Sequence, residues 1–157
     1  MKNIILALAL FSPTAFAEGD ASLLEVSRSA GFVHPDYAFS SKCSVGSRHT
    51  FLQHTFGQTK RAPESTYEAT KFTSALPDAQ AVARALEDAA RGSLIDEQGP
   101  VDGPTNKYTG VIEGRVVDQH VKLQLRSTSG SDYRNEASSV PALVELADLN
   151  CPLPTRP

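Results

Sequence analysis

The side chains in this sequence that come closest to a catalytic set are one histidine and a cluster of hydroxyl and carboxyl groups downstream of it. His120 begins a run with strand character, and Ser129, Ser131 and Asp132 lie in the loop that follows this run. A serine hydrolase needs a nucleophilic hydroxyl beside a base, which is usually a histidine oriented by a carboxylate. No G-x-S-x-G motif surrounds either serine. A small hydrolase that uses these four residues is therefore an alternative hypothesis and not the leading one.

The other histidines and acidic residues do not form a recognisable metal-binding pattern. His49 and His54 are five residues apart, which places them on opposite faces of a regular strand, whereas two ligands of one metal need the same face. Asp96, Glu97 and Asp102 offer oxygen ligands, but their spacing is not that of an EF-hand loop. We therefore expect no metal site.

Two loop segments are the candidate contact surfaces for a binding partner. The first, GPVDGPTNKY at residues 99–108, contains prolines and glycines that fix turns and reduce the freedom of the unbound chain. It lacks the lysine and the glycine spacing of a phosphate-binding loop, so we expect no nucleotide and no other cofactor. The second segment is STSGSDYRN at residues 127–135. The candidate binding residues in the two segments are Val101, Asp102, Thr105, Asn106, Tyr108, Ser131 and Tyr133. The alternative is that segment 99–108 only connects two elements.

The first residues have the pattern of a secretory signal peptide. Lys2 precedes an apolar run over residues 4–11, and Ala15 and Ala17 have the small-x-small spacing of a cleavage site. This apolar run is far shorter than the roughly 20 residues that span a bilayer. We predict that residues 1–17 are removed and that the remaining chain is exported, without a membrane span, to the periplasm or the medium.

The cysteines and the charge balance restrict the kind of partner. Cys43 and Cys151 are the only two cysteines, and in an oxidising compartment such a pair is expected to form a disulfide. The chain carries 15 basic and 18 acidic residues, for a formal charge of −3, without a block of like charges. This balance argues against nucleic acids and anionic membrane surfaces, which both attract clustered lysine and arginine. The remaining candidate partners are a protein or another macromolecule of the cell envelope.

Hydrophobic patterns after Cys43 predict the order strand, strand, helix, strand, strand, helix. The predicted strands are SVGSRHTFLQHTF (44–56), TYEATKFT (66–73), YTGVIEG (108–114) and HVKLQLRST (120–128). The predicted helices are ALPDAQAVARALEDAARG (75–92) and SSVPALVELADLN (138–150). Asp78 is placed to cap the first helix, and Gly92 is placed to end it in a left-handed conformation.

This order predicts an α+β fold in which two ββα units form a four-stranded, mainly antiparallel sheet with two helices packed on one face. We expect residues 18–42 to be partly ordered, residues 43–151 to form a single α+β domain closed by the disulfide, and residues 152–157 to be a flexible tail. A rigid exported domain without a catalytic motif favours a non-catalytic binding protein, an inhibitor or an adaptor of another macromolecule. The alternatives are the small hydrolase and a structural, envelope-associated protein. The sequence leaves the oligomeric state open.

Overall fold

The computed structural model describes residues 21–31, 33–34, 37–58, 63–74, 78–97, 103–113, 120–128 and 132–155. For Glu97, Glu113, His120 and Asp132 it describes the backbone alone. The predicted signal peptide lies outside these residues.

Eight strands and two helices occur in the described part of the chain. The strands are β1 (Ser22–Ser29), β2 (Phe39–Gly46), β3 (His49–Phe56), β4 (Ser65–Phe72), β5 (Leu94–Glu97), β6 (Thr105–Glu113), β7 (His120–Thr128) and β8 (Asp132–Asn135). The helices are α1 (Ala79–Ala89) and α2 (Val140–Asn150). All the strands pair antiparallel in one sheet, in the order β4-β3-β2-β1-β6-β7-β8-β5.

The predicted four-stranded sheet of two ββα units is wrong. Each half of the chain ends in a helix as predicted, but each half contains four strands before it. The sequence pattern predicts one strand over residues 44–56, whereas the chain reverses at residues 47–48 and joins β2 to β3 there. In addition, β5 and β8 have only four residues each, which is too few for a periodic pattern to stand out.

The strand β1 lies at the centre of the sheet, although its sequence falls in the segment that we expected to be only partly ordered. It pairs with β2 on one side and with β6 on the other. Leu24, Val26 and Arg28 are buried at alternate positions, which is the period of a strand with one covered face. The ordered domain therefore includes residues that precede Cys43.

The helices cover the face of the sheet that carries these buried β1 side chains, and we call it the inner face. In α1 the residues Val82, Leu86 and Ala89 are buried. At Gly110 in β6 a β-carbon would come within 2.4 Å of a methyl carbon of Leu86, so the absence of a side chain lets α1 pack close to the strand. The core is completed by aliphatic residues from β1, β2, β3, β7 and α2.

The sequence pattern predicts the N-terminal cap of α1 correctly, but its prediction for the C-terminal cap is wrong. The predicted N-cap is confirmed, because the Asp78 carboxylate accepts a hydrogen bond from the backbone N–H of Gln80 at 3.2 Å. The helix ends at Ala90 in a right-handed conformation, so Gly92 does not form the left-handed cap. A glycine is required there for space, since a β-carbon would lie 2.2 Å from the Asn135 side-chain oxygen.

The end of α2 is joined covalently to the sheet. Cys43 of β2 and Cys151, which follows α2, form the predicted disulfide, with their Cα atoms 5.9 Å apart. Both residues are buried in the core. This bond is consistent with an extracellular location. Within the described ranges, neither helix combines the length and the apolar character needed to cross a membrane.

Candidate functional site

The candidate site is an open groove between α2 and the strands β7 and β8, which we call the α2 groove. Its volume is about 550 Å³, within the usual range for ligand pockets of roughly 300–1,000 Å³. Arg126 of β7 and Arg134 of β8 line the side formed by the sheet. The helix side is lined by apolar and acidic side chains, among which are Val140, Pro141, Val144, Glu145 and Asp148. The groove therefore presents an apolar wall and charges of both signs.

The strand register and the helical repeat explain why these charges meet. Arg126 is directly opposite Arg134 in the pairing of β7 with β8. Like charges directly opposite each other on neighbouring strands are unfavourable unless an anion lies near them. Pro141, Glu145 and Asp148 follow the i, i+4, i+7 spacing of one helix side, and this side of α2 lines the same groove. The arrangement can bind a ligand that carries both an acidic and a basic group.

Asp148 is held in place by two residues of the inner face. Its Oδ1 atom lies 2.5 Å from a guanidinium nitrogen of Arg28 and accepts a hydrogen bond from the Tyr108 hydroxyl at 2.7 Å. Arg28 also donates a hydrogen bond to the carbonyl oxygen of Cys151, and its guanidinium lies 5.9 Å from the centre of the Tyr108 ring. Burial, followed by the hydrogen bond to Asp148, raises the pKa of the Tyr108 hydroxyl. These contacts fix the end of the groove at which α2 terminates.

A row of polar side chains extends from Arg28 across the inner face. The register places Arg28 between Ser41 and Asn106, Ser41 opposite His54, and His54 opposite Tyr67. The buried His54 ring forms a hydrogen bond between its Nδ1 atom and the Ser41 hydroxyl at 2.9 Å and stacks on the Tyr67 ring at 6.4 Å. Burial, and secondly the positive charge of Arg28, lower the pKa of His54. His54 is therefore neutral in the folded protein at neutral pH.

We expect acidification to destabilise the fold through His54. Its pKa is lower in the folded than in the unfolded chain, where it is about 6.5, so its stabilising contribution is complete above pH of about 6.5 and is lost as the pH falls below that value. Urea unfolding at pH 7.5 and at pH 5 would measure this loss. In His54→Gln the loss should be smaller than in the wild type. An equal loss in His54→Gln and in the wild type would contradict the assignment of this loss to His54.

Among the described candidate binding residues of the first loop segment, Tyr108 contacts the groove lining, through Asp148. Thr105 and Asn106 are half-buried at the start of β6, and the Asn106 N–H donates to the Thr128 hydroxyl at 3.3 Å. Val101 and Asp102 lie outside the described residues. The structure therefore connects one of the described residues of this segment with the groove.

Tyr133, the described candidate residue of the second segment, does not line the groove. Tyr133 precedes Arg134 in β8, and the alternation of a strand places its side chain on the outer face of the sheet. Its hydroxyl is buried, and no described residue forms a hydrogen bond with it. Ser131 lies outside the described residues.

The two loop segments leave the sheet at the same end. Residues 98–104 connect β5 to β6, and residues 129–131 connect β7 to β8. Asn106 is paired with Thr128, so the start of β6 lies beside the end of β7. The predicted topology had placed each segment between a helix and a strand, at ends of the sheet that did not have to coincide. Both segments connect strands instead.

The strand register separates two residues of the hydrolase alternative, His120 and Asp132. His120 is the first residue of β7, and Asp132 is the first residue of the antiparallel β8, whose Tyr133 pairs with Ser127. Asp132 therefore lies beside the last residues of β7, and at about 3.3 Å per residue it is separated from His120 by roughly 20 Å or more. Ser129 lies outside the described residues, as does Ser131. Among the described side chains, no group of three His, Cys, Asp or Glu residues is arranged to hold a metal ion.

Sequence reasoning missed the residues that form the α2 groove. Arg126 lies in a predicted strand and was not among the candidate residues, and Arg28 belongs to the segment expected to be partly ordered. The spacing of Pro141, Glu145 and Asp148 on one side of a helix is a signal that could have been used. The sequence alone does not show that this side faces two arginines, because that depends on the pairing of β8 with β7.

The chain matches no protein-family model, no curated protein and no solved structure in the three comparisons.

Proposed function

We propose that this protein is a non-catalytic binding domain that receives an extended segment of another protein in the α2 groove. The observation that carries the proposal is the composition of the groove, in which Arg126 and Arg134 face an apolar and acidic side of α2. An extended polypeptide offers apolar and charged side chains along one line, so it can match the wall and the charges together. The proposed function involves no catalytic step.

The charges of the groove favour a protein ligand over other macromolecules. Three carboxylate residues, Glu136, Glu145 and Asp148, line the groove together with the two arginines. Carboxylates interspersed with the arginines disfavour a nucleic acid, because its binding depends on clustered basic residues. A polypeptide segment with both an acidic and a basic side chain is compatible with this mixture of charges.

The fixed end of the groove, where α2 terminates, supports a role in recognition. Asp148 is held by Arg28 and Tyr108, and the disulfide joins the end of α2 to β2. A site that is already ordered before binding loses less conformational entropy when the ligand arrives. Because the groove receives a segment and does not project one, we favour an adaptor over an inhibitor that inserts a loop into its target.

We further propose that the protein acts outside the cytoplasm. The predicted signal peptide, residues 1–17, would direct its export to the periplasm or the medium. The disulfide between Cys43 and Cys151 supports this location, since such bonds persist in oxidising compartments.

The proposal can be tested by selecting peptides from a random displayed library on the immobilised, oxidised protein. We expect enriched peptides that carry both acidic and basic residues. NMR titration with such a peptide should shift the backbone amides of β7, β8 and α2. Failure to enrich any peptide, or shifts confined to the sheet end that carries residues 98–104 and 129–131, would contradict the assignment of the groove.

A further inference from the structure

The strand β4 lies at one edge of the sheet and has the properties of a strand that pairs with a further strand. It has eight residues and pairs with β3 along one edge, and no described strand pairs with its other edge. An unpaired edge presents a row of backbone N–H and C=O groups that a further strand can bind.

The side chains of β4 are exposed on both faces of the sheet. Each of its eight residues is exposed or half-buried, in contrast to the strands at the centre. Tyr67 on the inner face is 55% exposed and Phe72 on the outer face is 80% exposed. The strand contains no proline and no bulge that would block a neighbour. Both faces can therefore contribute contacts to an added strand.

We propose that two copies of this chain associate through their β4 strands, which pair antiparallel about a two-fold axis perpendicular to the sheet. The lengths of the two outer strands support a second copy in this arrangement. β4 has eight residues and β5 has four, so β4 matches another β4 along its length, whereas pairing with β5 would leave half of it unpaired. A two-fold contact also closes, so that the association stops at the dimer.

The side chains of β4 select one register for this contact. A two-fold axis perpendicular to the sheet keeps the inner faces on the same side, so each residue must pair with a residue of its own face. Two registers pair the largest number of β4 residues between the copies. In one of them the two-fold axis passes between the two copies of Glu68, and in the other it passes between the two copies of Ala69. Centring on Glu68 places two carboxylates directly opposite each other, which is unfavourable. Centring on Ala69 avoids this and places Tyr67 of each copy opposite Lys71 of the other.

The register centred on Ala69 gives favourable pairs on both faces. On the inner face, the ammonium group of Lys71 can lie over the exposed ring of Tyr67, and this contact occurs twice by symmetry. On the outer face, Thr66 of one copy lies opposite Phe72 of the other. The Glu68 carboxylate, which accepts a hydrogen bond from Gln53 at 2.6 Å, is opposite Thr70. The contact is small, so the dimer should be weak and should depend on concentration.

Sedimentation equilibrium of the oxidised protein over a wide concentration range tests the proposal. The mass of the wild type should rise from that of a monomer towards that of a dimer. In Tyr67→Lys each new lysine lies opposite Lys71 of the other copy, so two pairs of like charges face each other. This change should weaken the association by about tenfold or more. The control Tyr37→Lys makes the same change at a tyrosine that is 75% exposed outside β4, and it should dimerise like the wild type.

A cysteine cross-link tests the register and does not depend on how well Tyr67→Lys folds. In Ala69→Cys the two new thiols lie opposite each other on the axis and should form an intermolecular disulfide under mild oxidation. Thr70→Cys should cross-link much less, because its thiols are offset along the strands. A wild type that stays monomeric at every concentration, or a cross-link that forms equally well at both positions, would overturn the proposal.

Discussion

Replacing both Cys43 and Cys151 with alanine should lower the free energy of unfolding by about 2–5 kcal/mol. The disulfide joins residues that are 108 positions apart, so it removes many conformations from the unfolded chain. It also ties the end of α2 to β2 within the core. Guanidinium unfolding of the oxidised wild type and of the double variant would measure the difference.

Unfolding in the presence of a reducing agent, which breaks the disulfide, provides the control for this prediction. Reduction should move the unfolding midpoint of the wild type to lower denaturant concentration and should leave that of the double variant unchanged. A difference below about 1 kcal/mol between the oxidised wild type and the variant would show that packing, and not the covalent link, holds α2 on the sheet.

Replacing Arg28 with methionine should be the next most damaging change, with a loss of about 2–4 kcal/mol in the free energy of unfolding. The Arg28 side chain is 5% exposed and contacts Asp148, the Cys151 carbonyl and the Tyr108 ring. Its removal leaves a buried carbonyl without this donor and leaves Asp148 without its cation. Denaturant unfolding would measure the loss.

A matched control is a second ion pair at the sheet, between Lys122 and Glu25. Their charged atoms are also close, at 2.6 Å, but the lysine side chain is 65% exposed. Such exposed pairs contribute about 0–1 kcal/mol, so Lys122→Met should have a small effect. Equal losses in Arg28→Met and Lys122→Met would contradict the role of burial in this argument.

Several elements could be predicted from the sequence because their signals are local. The apolar repeat and the cap at Asp78 located α1, and the apolar side of α2 located the second helix. The strand character of the run HVKLQLRST identified β7. The cysteine count was sufficient to predict which residues form the disulfide, since two cysteines allow a single pairing.

The sheet itself depends on contacts between distant residues, which local patterns do not reveal. Arg28 interrupts the apolar alternation of β1, and its partner Asp148 is 120 residues away in the sequence. The short strands β5 and β8 exist because they pair with each other and because β8 pairs with β7. An eight-stranded sheet was therefore mistaken for a four-stranded one.

The candidate site was missed for the same physical reason. Arginine in a strand is usually solvent-exposed, so Arg126 and Arg134 gave no sign of a shared site before β7 and β8 were paired. The loop at residues 99–108 drew attention through its glycines and prolines. Its residue Tyr108 does take part, but through Asp148 and not as a loop contact.

The most direct test of the α2 groove as a binding site is the affinity of a selected peptide for two charge-reversal variants. Arg126→Glu changes the groove, whereas Arg84→Glu makes the same substitution on the exposed side of α1. Fluorescence anisotropy should show binding weakened by about tenfold or more in Arg126→Glu and unchanged in Arg84→Glu. Equal affinity of both variants for the peptide would contradict the proposed site.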